Sequence, residues 1–275
     1  MSNGFRNFLK SSALGRVAIM PWRLWWAWSY ALPPVFRAIS WLFTSREYTN
    51  FTYELDPLNL KQLTAYVAVV TGQSYATIQK YIQELDQDEA LKSHIIRLSQ
   101  TSKEKWVADP VVHFGRRLGW YAILRVTKPQ LAVETGTDKG LGTCVIAAAL
   151  MRNAQEGSPG KVISMDINPN AGYLFQTPYN QYGKLLCGSS HQLIAELNEE
   201  VDFFIHDSNH AAEYEAKEFE LIRPKLSRRA LVLSDNSELT DELLKFAEAT
   251  GRKFLFFAEK PIKHWSVGAG IGAGF

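Results

Sequence analysis

From residue 131 onward the chain alternates short apolar runs with stretches whose apolar residues return every three or four positions. The runs are LAVET (131–135), KVISMDI (161–167), KLLCG (184–188), VDFFIHD (201–207), ALVLSD (230–235) and KFLFFAE (253–259), each the length of a strand. Helical spacing fills 143–154, 189–199, 212–226 and 238–250. Strand–helix alternation predicts an α/β, Rossmann-like, doubly wound fold with a mostly parallel sheet covered on both faces. Residues 56–127 read as helical instead. LNLKQLTAYVAVVTG stops at Gly72, Ser74 caps YATIQKYIQEL, EALKSHIIRL follows, and VVHFGRRLGWYAILRV runs up to Pro129, where helix must end. His94 and His113 in this lead-in are given no role.

The first 50 residues differ again. They contain VAIMPWRLWWAWSYALPPVFRAISWLF, with five of the chain's eight tryptophans, and six Lys/Arg against the single acid Glu47. The whole chain is only +2, which gives no basis for nucleic-acid binding. A bilayer span needs about 20 apolar residues. Arg23 and Arg37 bracket thirteen, and Pro33-Pro34 within them is expected to break the helix. No small-residue cleavage pattern marks a signal peptide. The arm, residues 16–44 above all, therefore either lies in a membrane interface, where Trp and Arg are at home, or packs on the body or on a second subunit in a homodimer. Cys144 and Cys187 lack metal-type spacing and read as buried free thiols of a reducing compartment. The expected location is the cytoplasm, with the arm on the inner face of the membrane where it contacts lipid.

Polar clusters close the apolar runs, at the strand ends where open α/β sheets bind ligands. ETGTDKGLG (134–142) spaces its glycines at 136, 140 and 142, which is not the dinucleotide G-x-G-x-x-G and argues against an NAD oxidoreductase. Asp166 ends the second run, where a carboxylate can accept both ribose hydroxyls. Ser189 follows the third and either contacts a base or caps the next helix. HDSNH (206–210) ends the fourth, and SDNS (234–237) ends the fifth. Helix capping accounts for Ser208, Asn209 and Ser237 but does not need an acid at the end of both runs. His206, one residue before Asp207, should face the other side of the sheet and serve structure.

Residues 130–260 resemble a class I S-adenosylmethionine (SAM) methyltransferase, and within that class the metal-dependent O-methyltransferases of the catechol and caffeoyl-CoA type and the related sugar O-methyltransferases. The resemblance rests on the acidic-x-Gly-x-x-x-Gly-x-Gly loop, on MDINP, and on FIHDSNH paired with LVLSDNS. It implies a seven-stranded sheet, with the tail KPIKHWSVGAGIGAGF as the final hairpin strand. It implies SAM held by Glu134, Gly136, Gly140, Gly142, Asp166 and Ser189, and one divalent cation, Mg²⁺, held by Asp207, Asp235 and Asn236. Where catechol-type enzymes place a lysine base, this chain has His210, a competent base near neutral pH. The implied division is an arm (1–50), a helical lead-in (51–128) and a methyltransferase domain (129–275).

Two carboxylates and an amide oxygen are hard ligands suited to Mg²⁺, and a cation would lower the pKa of an acceptor hydroxyl. The expected activity is Mg²⁺-dependent O-methylation of a small-molecule, sugar, glycan or lipid-linked acceptor with neighbouring oxygens. The alternatives are a hydroxylase-like relative on the same fold and a non-catalytic, membrane-associated SAM-binding scaffold. His264 and Trp265 are further candidates for a pocket wall.

Overall fold

A computed structural model describes residues 4, 5, 7, 12–46, 53–262 and 264–275. They divide into two compact units, one of residues 1–45 with 263–267 and one of residues 46–262 with 268–275.

In the first unit, helix α1 (Ala13–Ala18) begins at Ser12, whose hydroxyl accepts from the Gly15 N–H at 2.9 Å. Helix α2 (Met20–Thr44) follows and runs unbroken through Pro33 and Pro34. The expected break does not occur. Each proline removes one backbone donor and crowds the carbonyl four residues before it, yet its fixed φ is helical, so the long helix passes through at that cost. Arg37 Nε donates to the Pro33 carbonyl at 3.3 Å. Trp41 packs against His264 and Trp265 with ring centroids 6.1 and 5.7 Å apart, so these two side chains meet the arm's helix and do not line the cavity described below.

The second unit holds a seven-stranded sheet. Its strands are β1 (Leu131–Thr135), β2 (Lys161–Asp166), β3 (Gly183–Cys187), β4 (Val201–His206), β5 (Leu226–Asp235), β6 (Phe254–Ala258) and β7 (Gly270–Gly274). Their order is β3-β2-β1-β4-β5-β7-β6; β1 to β5 run parallel, and β7 is antiparallel to both its neighbours. The chain reverses direction across the sheet between β1 and β4, which is the switch point where such sheets bind ligands.

Strand periodicity of two builds the two layers. Ala132, Val162, Phe203 and Ile205 face one core together with α3 (Pro57–Thr71), α4 (Tyr75–Asp86), α5 (Glu89–Thr101), α6 (Arg117–Thr127) and α7 (Leu141–Gln155). Leu131, Val133, Ile163, Met165 and Phe204 face the other, against α8 (Ser190–Glu196), α9 (Ala212–Ile222) and α10 (Glu242–Thr250). The lead-in helices thus share a core with the sheet. Gly72 ends α3 at φ 66°, and the Ser74 hydroxyl accepts from the Thr77 N–H at the start of α4.

Three local expectations change. The helix expected from 238 begins at Glu242, because residues after Asp235 first turn through Asn236 at φ 51°. The run from Val111 is helical only from Arg117, once Gly115 has turned at φ 53°. Cys144 is buried, but Cys187 lies on edge strand β3 and is exposed.

Candidate active site

A cavity of about 710 Å³ opens at the carboxyl ends of β1, β2, β4 and β5, within the range of small-molecule sites. Its first end is made by the turn from β1 into α7. Gly136 has φ 88°, and a Cβ there would collide with the carbonyl of Asp207 in the neighbouring strand end. Gly140 has φ 91° and lies against Gly172; a Cβ on Gly142 would run into the Glu134 carboxylate. Gly136 and Gly140 are required by backbone conformation as well as by space, and the helical Gly142 by space alone.

Asp166 fastens this turn. Its Oδ2 accepts from the N–H groups of Thr137 at 3.0 Å and Asp138 at 2.9 Å, and its Oδ1 from Asn168 at 2.8 Å. The carboxylate still lines the cavity and keeps free lone pairs for further donors. Glu134 is buried, accepting from Thr143 Oγ1 at 2.5 Å and Ser164 Oγ at 2.7 Å. Burial pushes its carboxyl up to about 7, against the pull of those two hydroxyls. Ser189 is not part of the wall. It precedes α8 and makes no side-chain cap, while Gly188, Ser190 and Tyr214 line the cavity, with the Ser190 and Tyr214 hydroxyls 2.7 Å apart.

The cradle of close-approach glycines and the carboxylate on its rim fit SAM. The glycine turn would take the amino-acid part, and Asp166 the ribose.

The second end gathers Asp207, His210, Asp235 and Asn236, all of which line the cavity. His206 turns the other way, as its place in the alternation requires, and its Nδ1 meets the buried Glu218 Oε2 at 2.7 Å. Glu218 also accepts from Thr135 and Ser208, and despite its burial these partners, His206 first, hold its carboxyl below the usual range. Ser208 is therefore committed to Glu218; Asn209 accepts from the Ala211 N–H at 3.0 Å in the turn before α9. His210 Nε2 lies 2.9 Å from the Asn236 amide nitrogen and 3.9 Å from Asp207 Oδ1. Burial, then the nearby His206, pushes the His210 imidazole below its ordinary pKa. Asp207 is raised well above the carboxylate range by burial and by the neighbouring Asp235, to which it hydrogen-bonds.

Arg116, from the turn before α6, meets both oxygens of Asp235 with its Nε and Nη2. Its Nη1 donates to Glu259 Oε2 at 2.8 Å and to the Tyr53 hydroxyl at 2.9 Å, and its backbone N–H to Glu259 Oε1 at 2.7 Å. Arg116, Asp235 and Glu259 are all buried. The guanidinium outweighs burial and holds Asp235 below the usual carboxylate range. Sequence reading missed this triad. Its signal was the doubled arginine inside the apolar run FGRRLGW, because a charge in such a run has to find a buried partner.

One ligand atom each from Asp207, His210 and Asp235 lies within 4.8 Å of the others, a spacing that a cation could bridge. The local charge works against one, because Arg116 already balances Asp235. Of the three expected ligands, Asp235 already has both oxygens in a guanidinium fork, and Asn236 turns its amide to His210. A Mg²⁺ ion needs near-ideal octahedral oxygen ligation, and here it would press against a fixed, buried positive charge.

A family model described as a methyltransferase domain matches residues 133–237. No curated protein matches the chain. Solved structures similar to it include a putative O-methyltransferase from Klebsiella pneumoniae, at 14% identity over 73% of this chain and 96% of that one, with a TM-score of 0.51. They also include the cofactor-bound Rv0187 from MTB (13% identity, 68% and 90% covered, TM-score 0.54). A third is the SAM-bound O-methyltransferase TomG of tomaymycin synthesis from Streptomyces achromogenes (15% identity, 69% and 90% covered, TM-score 0.50). At such identities the structural likeness is one of fold. Residues 133–237 thus match a methyltransferase-domain model, and the chain shares its fold with these structures.

Proposed function

We propose that the protein methylates a hydroxyl oxygen of a partly apolar small molecule, with His210 as the base and without a divalent cation. The observation behind this reading is that Gly136, Gly142 and Asp166 line one continuous cavity with His210. SAM supplies the methyl group. Glu134, Gly136, Gly140, Gly142 and Asp166 would hold it at one end, leaving the acceptor to the other.

A neutral hydroxyl is a poor nucleophile and needs a base. The Asn236 amide nitrogen donates toward His210 Nε2, so that nitrogen carries the lone pair. An acceptor hydroxyl that replaces the amide hydrogen bond can pass its proton to Nε2. The imidazolium then formed is stabilised by the negative charges of Asp235 and Glu215. Because the His210 pKa is lowered, the imidazole is in its basic form at neutral pH. Arg116 brings a fixed positive charge to this end and holds Asp235 in place. Ile95, Ile96, Val111 and Val112 supply an apolar wall, which suits a phenol or a lipid-linked alcohol better than a free sugar.

A transfer assay with methyl-labelled SAM over phenolic, sugar and lipid-extract acceptors, with and without EDTA, tests this reading. The expected product is an alkali-stable ether, formed equally in both conditions. Label in base-labile esters, activity abolished by EDTA, or no transfer to any acceptor would each overturn it.

A further inference from the structure

Helix α2 has no fully buried residue, and its sides differ. At about 100° per residue, Arg37, Ala38 and Trp41 share one side, which is half-buried, with Trp41 on His264 and Trp265. The opposite arc carries Leu24, Trp28, Val35, Ile39, Leu42 and Phe43, which are between 47% and 86% exposed. Scattered apolar residues on a surface need no explanation; a continuous helical face of them does.

Charge identifies what covers it. Residues 12–46 contain Arg16, Arg23, Arg37 and Arg46 and no acid, so a surface of negative charge would complement them. The polar arc of Arg23, Tyr30, Arg37 and Ser40 would be buried in hydrocarbon if the helix crossed a bilayer, and no helix among the described residues is long and apolar enough to do so. Lying in the headgroup plane satisfies both sides: tryptophans rest at the boundary, the apolar arc dips below it, and the arginines meet lipid phosphates. We propose that α2 is an in-plane anchor that binds the surface of an anionic lipid bilayer. This does not rest on the methyltransferase reading.

The test is flotation of the full chain with phosphatidylcholine vesicles, with and without phosphatidylglycerol. SAM binding and circular dichroism serve as fold controls. The wild type is expected to float with the anionic vesicles, with a blue-shifted tryptophan emission. Replacing Trp28→Glu together with Ile39→Glu should weaken partitioning on the order of 100-fold. Arg23→Gln with Arg37→Gln should weaken it about thirtyfold on anionic vesicles only. A wild type that stays at the bottom, or a Glu variant that floats equally well, overturns the anchor. So does a dimer seen without lipid by light scattering that the Glu variant abolishes, because a second copy would then be what covers this face.

Discussion

At the glycine end of the cavity the geometry is backbone geometry: turns at positive φ, N–H groups held by Asp166, and positions where any side chain would collide with a neighbouring strand. At the acidic end the geometry is made by side chains from four distant places, Tyr53, Arg116, Asp235 and Glu259. The first end is local in sequence and constrains residue type tightly. The second is assembled from residues far apart in sequence, with Arg116 and Glu259 meeting beside Asp235.

Damage at the glycine end should spread furthest. Gly136→Ala forces a side chain into a left-handed backbone and against the Asp207 carbonyl, disturbing the SAM cradle and the His210 loop together. Methyl transfer is expected to fall below detection, with SAM affinity weaker by on the order of 100-fold by calorimetry. Unchanged SAM affinity would mean that the turn does not touch the cofactor. His210→Gln is expected to separate the two ends, with the transfer rate down about 10²–10⁴-fold and SAM affinity unchanged. The wild-type pH–rate profile should lose activity only below pH 6.5 as the imidazole takes up a proton, since its pKa is lowered. An acid limb above 6.5, or one that persists in His210→Gln, would remove His210 from the base role.

Arg116 decides how the acidic end is balanced. Arg116→Met leaves Asp235 and Glu259 buried without their cation, and a loss of about 3–5 kcal/mol of stability is expected in denaturant melts. Mn²⁺ paramagnetic resonance should show no bound ion in the wild type and new binding in the variant, because Asp235 is released. Stoichiometric Mn²⁺ binding by the wild type would show that the guanidinium and a cation coexist.

What the sequence made legible follows the same division. The strand runs and the glycine positions are local patterns, and the paired acids at two strand ends, expected as metal ligands, both line the cavity. Ser189 was displaced by its neighbour Ser190 because a one-residue shift at a helix start changes which side chain faces inward. Arg116 and Glu259 lie 143 residues apart, and no periodicity links them. The continuous α2 was misjudged because proline was weighted as a stop, whereas its fixed φ is helical and a 25-residue helix can carry two of them.

The smallest effect concerns Glu134, the buried acid at the glycine end, whose carboxylate accepts from Thr143 and Ser164. Burial raises its pKa to about 7 from the ordinary 4.5, so the folded state binds the extra proton between these values. Its contribution is fully present below pH 4.5, declines as pH rises through the window, and is gone above about 7, a change of up to about 3 kcal/mol. Glu134→Gln should remove that slope: measured without SAM, the stability difference between variant and wild type should grow in the variant's favour from pH 5 to pH 8. A difference that stays flat across this range would mean that Glu134 is ionised at both ends of it and paired, and that the two ends of the cavity hold their acids in the same way.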